Sequence, residues 1–235
     1  DTEYMAFLRT QTVATIIAAC ENMETGSLYY AQKDASKYMF DKRDPASYLG
    51  DLTRLRFVPD CESSKETLIV NMGAHPYITG LKTDNSSGKE LSADYTAYMG
   101  EVIEASGRNF MFFNGAISGV YSDRGPTNDG VPMSRRSEQA ERYGLELGRF
   151  VLAMTLTREQ ILADELLADT ERVLADMAAS TGGYSLWYAG WQPVEETLTQ
   201  PMMNIRLKEV VVTIDNPLIQ TIGKLGLVNN TILKD

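Results

Sequence analysis

The 235-residue sequence has a single histidine, two cysteines and no apolar run long enough to form a membrane helix. One imidazole and two scattered thiols cannot complete a metal site of the usual His and Cys kind from this chain alone. Lys and Arg are scattered singly, and the net charge of −10 opposes the clustered basic contacts that nucleic acid requires. These absences exclude a nucleic-acid-binding protein and a membrane-spanning protein.

What is present is ordinary globular material. The sequence is 43% apolar and 23% charged, which is enough to bury a core. Cys20 and Cys61 have no framework pattern around them, so both are predicted to be free thiols. The first residues lack the basic region and cleavage site of a signal peptide, which by itself leaves export open.

The periodicity predicts an α/β fold, a mixed β-sheet flanked by helices, in a single domain over residues 1–235. Ser92 is predicted to be the N-cap of the second helix. Helices are predicted over residues 2–23, 93–106, 134–154 and 157–179, with a final short helix from 216 toward 225. Strands are predicted over residues 27–32, 52–58, 67–72, 109–113 and 205–214, and the strand at 67–72 reads as fully buried.

The single histidine, His75, comes directly after the apolar strand at 67–72 and stands between Ala74 and Pro76. A lone histidine at a strand end is by default a structural residue hydrogen-bonded to backbone. In open α/β sheets, however, ligands bind at the carboxyl ends of strands. The position therefore also makes His75 a candidate site residue.

Three motifs, which follow one another along the chain, resemble the neutral ceramidase family, and the second of them is made of two segments. Residues 68–75 (LIVNMGAH) and 91–95 (LSADY) are similar to the family's strand, histidine and hydrophobic-Ser-x-Asp signature. Residues 43–51 (RDPASYLGD) resemble its Asn-Arg-Ser loop, with Lys42 in place of the Asn. Residues 113–122 (FNGAISGVYS) resemble its nucleophile loop, with Val120 in place of an Asp. Three motifs in the right order are moderately specific.

The resemblance implies a zinc-dependent hydrolase that cleaves the amide of ceramide or a related small N-acyl lipid. It implies that His75 is a zinc ligand, that Ser122 is the nucleophile, and that Arg43 lies near the substrate, where a guanidinium could steady an oxyanion. The family's other zinc ligands would lie before residue 1 and beyond residue 235, so residues 1–235 are expected to be an incomplete catalytic domain. An extracellular or periplasmic location is also implied.

Plainer interpretations remain open for each candidate residue. Ser122 in a Gly- and Asp-rich loop can be a turn residue, and Arg43 can form a loop ion pair with Asp44. A cluster of aromatic residues can be a lipid or sugar platform or a packed surface loop. Its members are Tyr184, Trp187, Tyr188 and Trp191.

Two other functions compete with the zinc hydrolase. A catalytically inactive relative would serve as a binding or cell-surface module, which the altered loop at residues 119–122 favours. A hydrolase without metal would activate Ser122 through a carboxylate such as Asp94. The oligomeric state is left open.

Overall fold

The computed structural model describes residues 2–79, 92–117, 119–122, 136–168 and 191–200, together with Pro217 and Thr221. The chain divides into two compact units, Asp1–Gln200 and Pro201–Asp235. In the second unit Pro217 and Thr221 are helical, where the final short helix is predicted. The strand predicted over 205–214 lies outside the described residues, and a single domain over 1–235 stays a prediction.

The first unit contains helices and strands in alternation. In chain order these are α1 (Thr2–Glu21), β1 (Gly26–Asp34), a 3₁₀ helix (Ser36–Tyr38), β2 (Met39–Asp41), β3 (Asp51–Pro59), β4 (Thr67–Met72), α2 (Tyr95–Ala105), β5 (Asn109–Asn114), β6 (Val120–Ser122), α3 (Arg136–Ala153), α4 (Arg158–Ala163) and β7 (Thr197–Thr199).

The main sheet is mixed, which confirms the predicted α/β fold class. Its strand order is β5-β4-β3-β1-β7. Strands β4 and β5 run parallel and are joined through α2, whereas the other neighbours are antiparallel. A separate two-stranded ribbon pairs β2 with β6, and neither of these strands was predicted.

Helices α2 and α3 pack closely because of two glycines on one face of α3. Gly144 and Gly148 are four residues apart and therefore neighbours on the helix surface. A Cβ at Gly144 would overlap the carbonyl oxygen of Tyr95, and one at Gly148 would lie 2.8 Å from that of Met99. The absence of side chains at these two positions lets the backbones of the two helices touch.

The core between these helices and the sheet is rich in aromatic rings and contains one carboxyl group. Tyr38 makes edge-to-face contacts with Tyr143 and Phe150, with centroids 6.0 and 5.7 Å apart. The Tyr38 hydroxyl donates to Glu146 Oε1 at 2.9 Å. Burial raises the pKa of Glu146 to about 7, although the Tyr38 hydrogen bond and the charges of Lys37 and Arg149 act in the opposite direction.

In the described part of the chain, the opposite face of the sheet is less buried than the face that packs on the helices. Leu68, Val70 and Met72 of β4 are buried, but Ile69 between them is only partly buried, so the prediction that β4 is buried on both faces is wrong. Met111 and Phe113 of β5 are exposed on that side. Strand β4 therefore alternates, as expected for a sheet covered on one face.

Helix α1 is present where it was predicted, but none of its residues is buried. Its exposed side chains include Phe7, Ile16 and Ile17. Cys20 and Cys61 are both exposed and unpaired, which confirms the prediction of free thiols. Within the described residues, no helix combines the length and apolar character needed to cross a membrane.

The helix predicted over 157–179 is interrupted at Asp164. Helix α4 ends at Ala163, and Asp164 has an extended backbone conformation. Its Oδ1 accepts from the backbone N–H groups of Leu166 and Leu167 at 3.0 and 3.1 Å, so it caps a new turn at 165–168. Local hydrogen bonding by the Asp side chain competes with helix continuation. Residues 169–179 lie outside the described residues.

A network of arginines and glutamates holds the segment before β7 against the sheet. Arg54 Nη2 and Arg56 Nη2 lie 2.8 and 2.5 Å from the carboxylate oxygens of Glu196. The Arg54 and Glu196 side chains are only 4% and 14% exposed. Burial raises the pKa of Glu196, but hydrogen bonds from Arg56 and the charge of Arg54 outweigh it and lower the pKa overall.

Replacement of Glu146 by Gln should remove a pH dependence of stability. The folded protein keeps the Glu146 proton up to about pH 7, while the unfolded chain releases it near pH 4.5. The contribution of the Glu146 carboxyl to the free energy of unfolding is therefore complete below pH 4.5. It falls by about 3 kcal/mol as the pH rises to 7. Urea unfolding from pH 4.5 to 8 should show Glu146→Gln gaining that amount relative to wild type. Glu141→Gln, exposed on the same helix, is the control, and parallel curves for wild type and Glu146→Gln would contradict the assignment.

Replacement of Glu196 by Gln should destabilise the first unit. Removing one member of a buried ion pair leaves an uncompensated charge on Arg54, at a cost of about 3 kcal/mol. Chemical denaturation measures the change, with Glu195→Gln as the matched control, since Glu195 is exposed and adjacent. Equal free energies of unfolding for Glu196→Gln and Glu195→Gln would show that the Glu196 ion pairs do not stabilise the first unit.

Candidate functional site

The carboxyl end of β4 delivers His75 to the β2–β6 ribbon. After Met72 the chain passes through Gly73 and Ala74, and the His75 backbone N–H donates to the carbonyl of Val120 at 3.0 Å. His75 and Tyr121 form an isolated parallel bridge. The histidine thus leaves the main sheet at the carboxyl end of β4, as its position in the sequence predicts, and joins β6, which was not predicted.

The His75 ring is partly exposed and lies against an aromatic cluster centred on Tyr121. The two ring centroids are 5.0 Å apart, and Phe40 and Tyr77 contact the same tyrosine at 5.8 and 5.7 Å. The ammonium group of Lys42 lies 3.6 Å from the centroid of the Tyr121 ring, a cation–π contact. The imidazole therefore sits beside an aromatic surface that also carries a positive charge.

Helix α2 fixes the backbone on the N-terminal side of His75. The hydroxyl of Tyr95 donates to the carbonyl of Ala74 at 2.9 Å. Tyr95 is fully buried, and burial together with the charge of Asp94 raises the pKa of its hydroxyl far above the usual range. The hydroxyl therefore stays protonated and acts as a permanent donor to the residue before His75.

Asp94 fixes the backbone on the other side of His75. Its Oδ2 accepts from the backbone N–H and the hydroxyl of Thr79, each at 2.8 Å, and its Oδ1 accepts from the Tyr95 N–H. Asp94 is the N-cap of α2, with a positive φ of 58°, so the prediction of Ser92 as the cap is wrong. Ser92 instead accepts from the Asp94 N–H. These bonds hold Asp94 in a conformation that non-glycine residues rarely adopt.

Arg43 is locked onto Asp41 at the end of β2. Its Nε donates to both carboxylate oxygens, at 2.8 and 2.9 Å, and its Nη2 donates to Asp41 Oδ2 and to the carbonyl of Ser47. These bonds hold the pKa of Asp41 well below its usual range. The ion-pair partner of Arg43 is thus Asp41, where the sequence had suggested Asp44. Arg43 Nη1 has no hydrogen-bond partner among the described residues.

Gly119 connects this ion pair to β6. A Cβ at Gly119 would lie 2.9 Å from Asp41 Oδ1 and 3.2 Å from Arg43 Nε, so only glycine fits there without displacing the pair. The Gly119 carbonyl accepts from the Lys42 N–H at 3.1 Å. Since Val120, the next residue, accepts from His75, the residues 119–120 touch both the Arg43 pair and the histidine backbone.

Ser122 lies in the same ribbon, with its side chain on the other face. Ser122 pairs with Met39, and Tyr121 pairs with Phe40. Ser122 is 1% exposed, and Val120 and Met39 are also buried, whereas Tyr121 is not. Because side chains alternate along a strand, the Ser122 hydroxyl points to the core side and away from the aromatic surface that His75 contacts.

The structure therefore brings Arg43, His75 and Ser122 to one ribbon but not to one face. Within the described residues the Ser122 hydroxyl has no hydrogen-bond partner. Asp94 uses both carboxylate oxygens to hold Thr79 and the start of α2, so the metal-free alternative, in which Asp94 activates Ser122, gains no support. The catalytic roles of Arg43 and Ser122 stay predictions.

The described residues do not by themselves form a zinc site. Among them, no group of three or more His, Cys, Asp or Glu side chains is arranged to hold a metal ion. His75 could supply one imidazole, and a tetrahedral zinc site needs three or four ligands. The residues present do not fit zinc as a complete set.

Trp191 is the described member of the predicted aromatic cluster. Its indole N–H donates to the carbonyl of Leu156 at 3.0 Å, and its ring makes an edge-to-face contact with Phe150. Lys33 Nζ lies 4.3 Å from the centroid of the ring. Trp191 thus packs as part of the fold. Tyr184, Trp187 and Tyr188 lie outside the described residues.

Comparisons with known proteins show a limited similarity. No family model and no curated protein matches the chain. The chain is similar to the crystal structure of neutral ceramidase from Pseudomonas aeruginosa, with 13% identity over 60% of this chain and a TM-score of 0.48. It is also similar to a structure described as ceramidase complexed with C2, with 13% identity over 55% and a TM-score of 0.42.

The chain spans 24% and 22% of the lengths of those two structures. A similarity of this degree transfers no residue role. The roles of Tyr95, Lys42 and Tyr121 around His75, and of Asp41 as the partner of Arg43, were missed by the sequence reasoning. Tyr95 and Tyr121 lie within segments that carry the resemblance and Lys42 adjoins one, so their positions were visible, but the convergence of Lys42 and Tyr121 depends on the unpredicted pairing of β2 with β6.

Removal of the Tyr95 hydroxyl should displace His75. Tyr95→Phe leaves the Ala74 carbonyl without its buried donor, at a cost of about 1 to 2 kcal/mol, and frees the residue before His75. Since the chain has one histidine, its imidazole NMR signals are assigned without ambiguity and should shift. Tyr98→Phe on the same helix is the control, because the Tyr98 hydroxyl makes no hydrogen bond with any of the described residues. Unchanged imidazole signals in Tyr95→Phe would show that α2 does not position His75.

Proposed function

We propose that this chain belongs to a zinc-dependent amide hydrolase of the ceramidase type that cleaves a small N-acyl lipid, with His75 as one zinc ligand. The observation that supports this most is the placement of His75. It follows a strand of a parallel pair and is partly exposed, and side chains at the start of α2 bind the backbone at Ala74 and Thr79, before and after it. The other ligands would come from outside the described residues.

A fixed backbone around His75 is compatible with a ligand role, because a side chain whose position is already held loses less freedom when it binds a metal. Here Tyr95 and Asp94 fix the segments before and after the histidine, while the ring itself contacts Tyr121 from one side. The zinc, when bound, would polarise an amide carbonyl or activate water.

Arg43 would contribute by binding a substrate oxygen. Asp41 and Ser47 hold its Nε and Nη2, which fixes the guanidinium plane and leaves Nη1 available within the described part of the chain. A pre-oriented donor costs little to organise when charge develops on a substrate oxygen. The neighbouring Asp41 cancels its net charge, so its effect would be that of a directed hydrogen bond.

The substrate class and the location follow from the resemblance in segments 43–51, 68–75, 91–95 and 113–122. An N-acyl lipid presents an amide next to a long apolar chain. The aromatic surface of Phe40, Tyr77 and Tyr121 beside His75 is suited to contact such a chain. The proposed location is extracellular or periplasmic.

A second candidate function is a catalytically inactive binding or cell-surface module with the same fold. One observation favours it: the Ser122 hydroxyl faces the core side of the ribbon. In this case Phe40, Tyr77 and Tyr121 would bind a lipid without cleaving it.

Metal analysis of the full-length protein separates the two functions. Cys20 and Cys61 are exposed thiols that bind zinc adventitiously, so both are first replaced by Ala. In that background the hydrolase should contain one tightly held zinc ion, and His75→Ala should lose it. Hydrolysis of an N-acylsphingosine should fall by more than about 100-fold in His75→Ala, and it should also be abolished by a chelator.

Asn22→Ala, an exposed change far along the chain from the site, is the control for handling and folding. If the protein folds and binds lipid but contains no zinc, with or without the two cysteine replacements, the binding module is supported and the hydrolase is contradicted. Activity that survives chelation and His75→Ala would contradict both proposals.

A further inference from the structure

The ammonium group of Lys42 belongs to the aromatic surface beside His75. Its Nζ lies 3.6 Å from the centroid of the Tyr121 ring. Phe40 pairs with Tyr121 in the β2–β6 ribbon, and Lys42 follows Phe40 by two residues, so the three side chains share one face of the ribbon. The Lys42 backbone N–H donates to the Gly119 carbonyl at 3.1 Å, which continues the pairing of the two strands and fixes the origin of the Lys42 side chain.

The charge of Lys42 is close to the imidazole of His75. The ring centroids of His75 and Tyr121 are 5.0 Å apart. Because the ammonium and the imidazole adjoin the same ring, they are less than about 9 Å from each other, which is about one Debye length at physiological salt. A molecule bound beside His75 is therefore within the electrostatic reach of Lys42.

This charge is not neutralised by the described residues. None of their carboxylates forms an ion pair with Lys42. Asp41, its neighbour in the chain, has both oxygens bound by Arg43 and is covered by it. The protein as a whole has a net charge of −10, so it does not attract anions in general. The positive charge of Lys42 is a local property of the aromatic surface.

A ligand that matches this surface has an apolar chain and one negative charge. Phe40, Tyr77 and Tyr121 offer ring surfaces to a hydrocarbon chain. Lys42 offers a compact point charge, and the neighbouring cation, Arg43, is already paired with Asp41. One available charge matches a carboxylate better than it matches a phosphate dianion.

We propose that the ligand of this surface is an N-acyl amino acid, whose carboxylate pairs with Lys42 while its acyl chain lies on the aromatic rings. The carboxylate carbon of such a molecule is two bonds from the amide nitrogen, so amide and charge fit within the distance between Lys42 and His75. As a choice of substrate, this inference rests on the hydrolase proposed above. As a choice of bound ligand, it applies equally to the binding module. Lys42 is a specificity residue and takes no part in the chemistry.

Three N-octanoyl amides that differ mainly in charge test the proposal. N-octanoylglycine has the carboxylate, N-octanoylglycinamide is its neutral near-isostere, and N-octanoylethylenediamine has an ammonium group. Release of octanoate by the full-length protein gives kcat/KM for each compound. The value for the anion should exceed that for the neutral amide by at least about fivefold, and the cation should be the poorest substrate. An increase in salt from about 0.05 M to about 0.5 M should reduce the difference.

Two variants test whether Lys42 causes the preference. Lys42→Met keeps most of the length of the side chain without its charge, and it should raise KM for N-octanoylglycine alone with kcat unchanged, because the charge pairs with a group that does not react. Lys42→Arg keeps the charge and should keep the preference. Lys65→Met is the matched control, because Lys65 is exposed before the amino end of β4, the end opposite His75. Thermal unfolding checks that each variant is folded.

The outcomes separate this inference from the function on which it rests. If the amides are cleaved without preference for the anion, or if that preference survives in Lys42→Met, the inference is overturned and the hydrolase stands. If none is cleaved, the hydrolase fails and calorimetric binding of the same compounds decides. N-octanoylglycine should then bind at least about fivefold more tightly than N-octanoylglycinamide, and Lys42→Met should remove the difference. Equal or absent binding would overturn the inference as well.

Discussion

The packing of α2 and α3 against the end of β4 depends on Tyr95, which contributes both a buried ring and a hydrogen bond. Its ring contacts Tyr143 of α3 edge to face, with centroids 5.0 Å apart, and its backbone carbonyl lies against Gly144 of the same helix. Its hydroxyl holds the carbonyl of Ala74 at the end of β4. One residue thus joins α2 to α3 and joins both to the strand that carries the candidate ligand. The packing of the two helices and the backbone before His75 therefore share one side chain.

The two ends of β4 have different chemistry. At its carboxyl end the chain meets the aromatic surface around Tyr121, beside the ion pair in which the Asp41 side chain is covered by Arg43. At its amino end the strand meets the network of Arg54, Arg56 and Glu196. A rigid strand with one covered face can support both, because the helices pack along its middle and leave each end to loops.

The sequence predicted the long elements well and the ribbon not at all. The limits of β4 agreed with the apolar run, since a hydrophobic pattern bounded by polar residues marks a strand clearly. Strands β2 and β6 have three residues each, too few for any periodicity, and their pairing joins segments about eighty residues apart. His75 was identified by its position after β4. The face to which Ser122 points is set by the register of the ribbon. The side chains that bind the backbone before and after His75, Tyr95 and Asp94, lie at the start of α2. Neither feature is visible in local pattern.

Helix α1 has a consequence for how the first unit unfolds. A helix of 20 residues without a single buried side chain gains little from packing and depends mainly on its own backbone hydrogen bonds. Such a segment opens at a small fraction of the free energy that disrupts the packed sheet and helices. Loss of helix α1 and loss of the packed core are therefore separate events. Amide exchange would distinguish them because it reports on individual residues, whereas circular dichroism sums the helical signal of the whole chain.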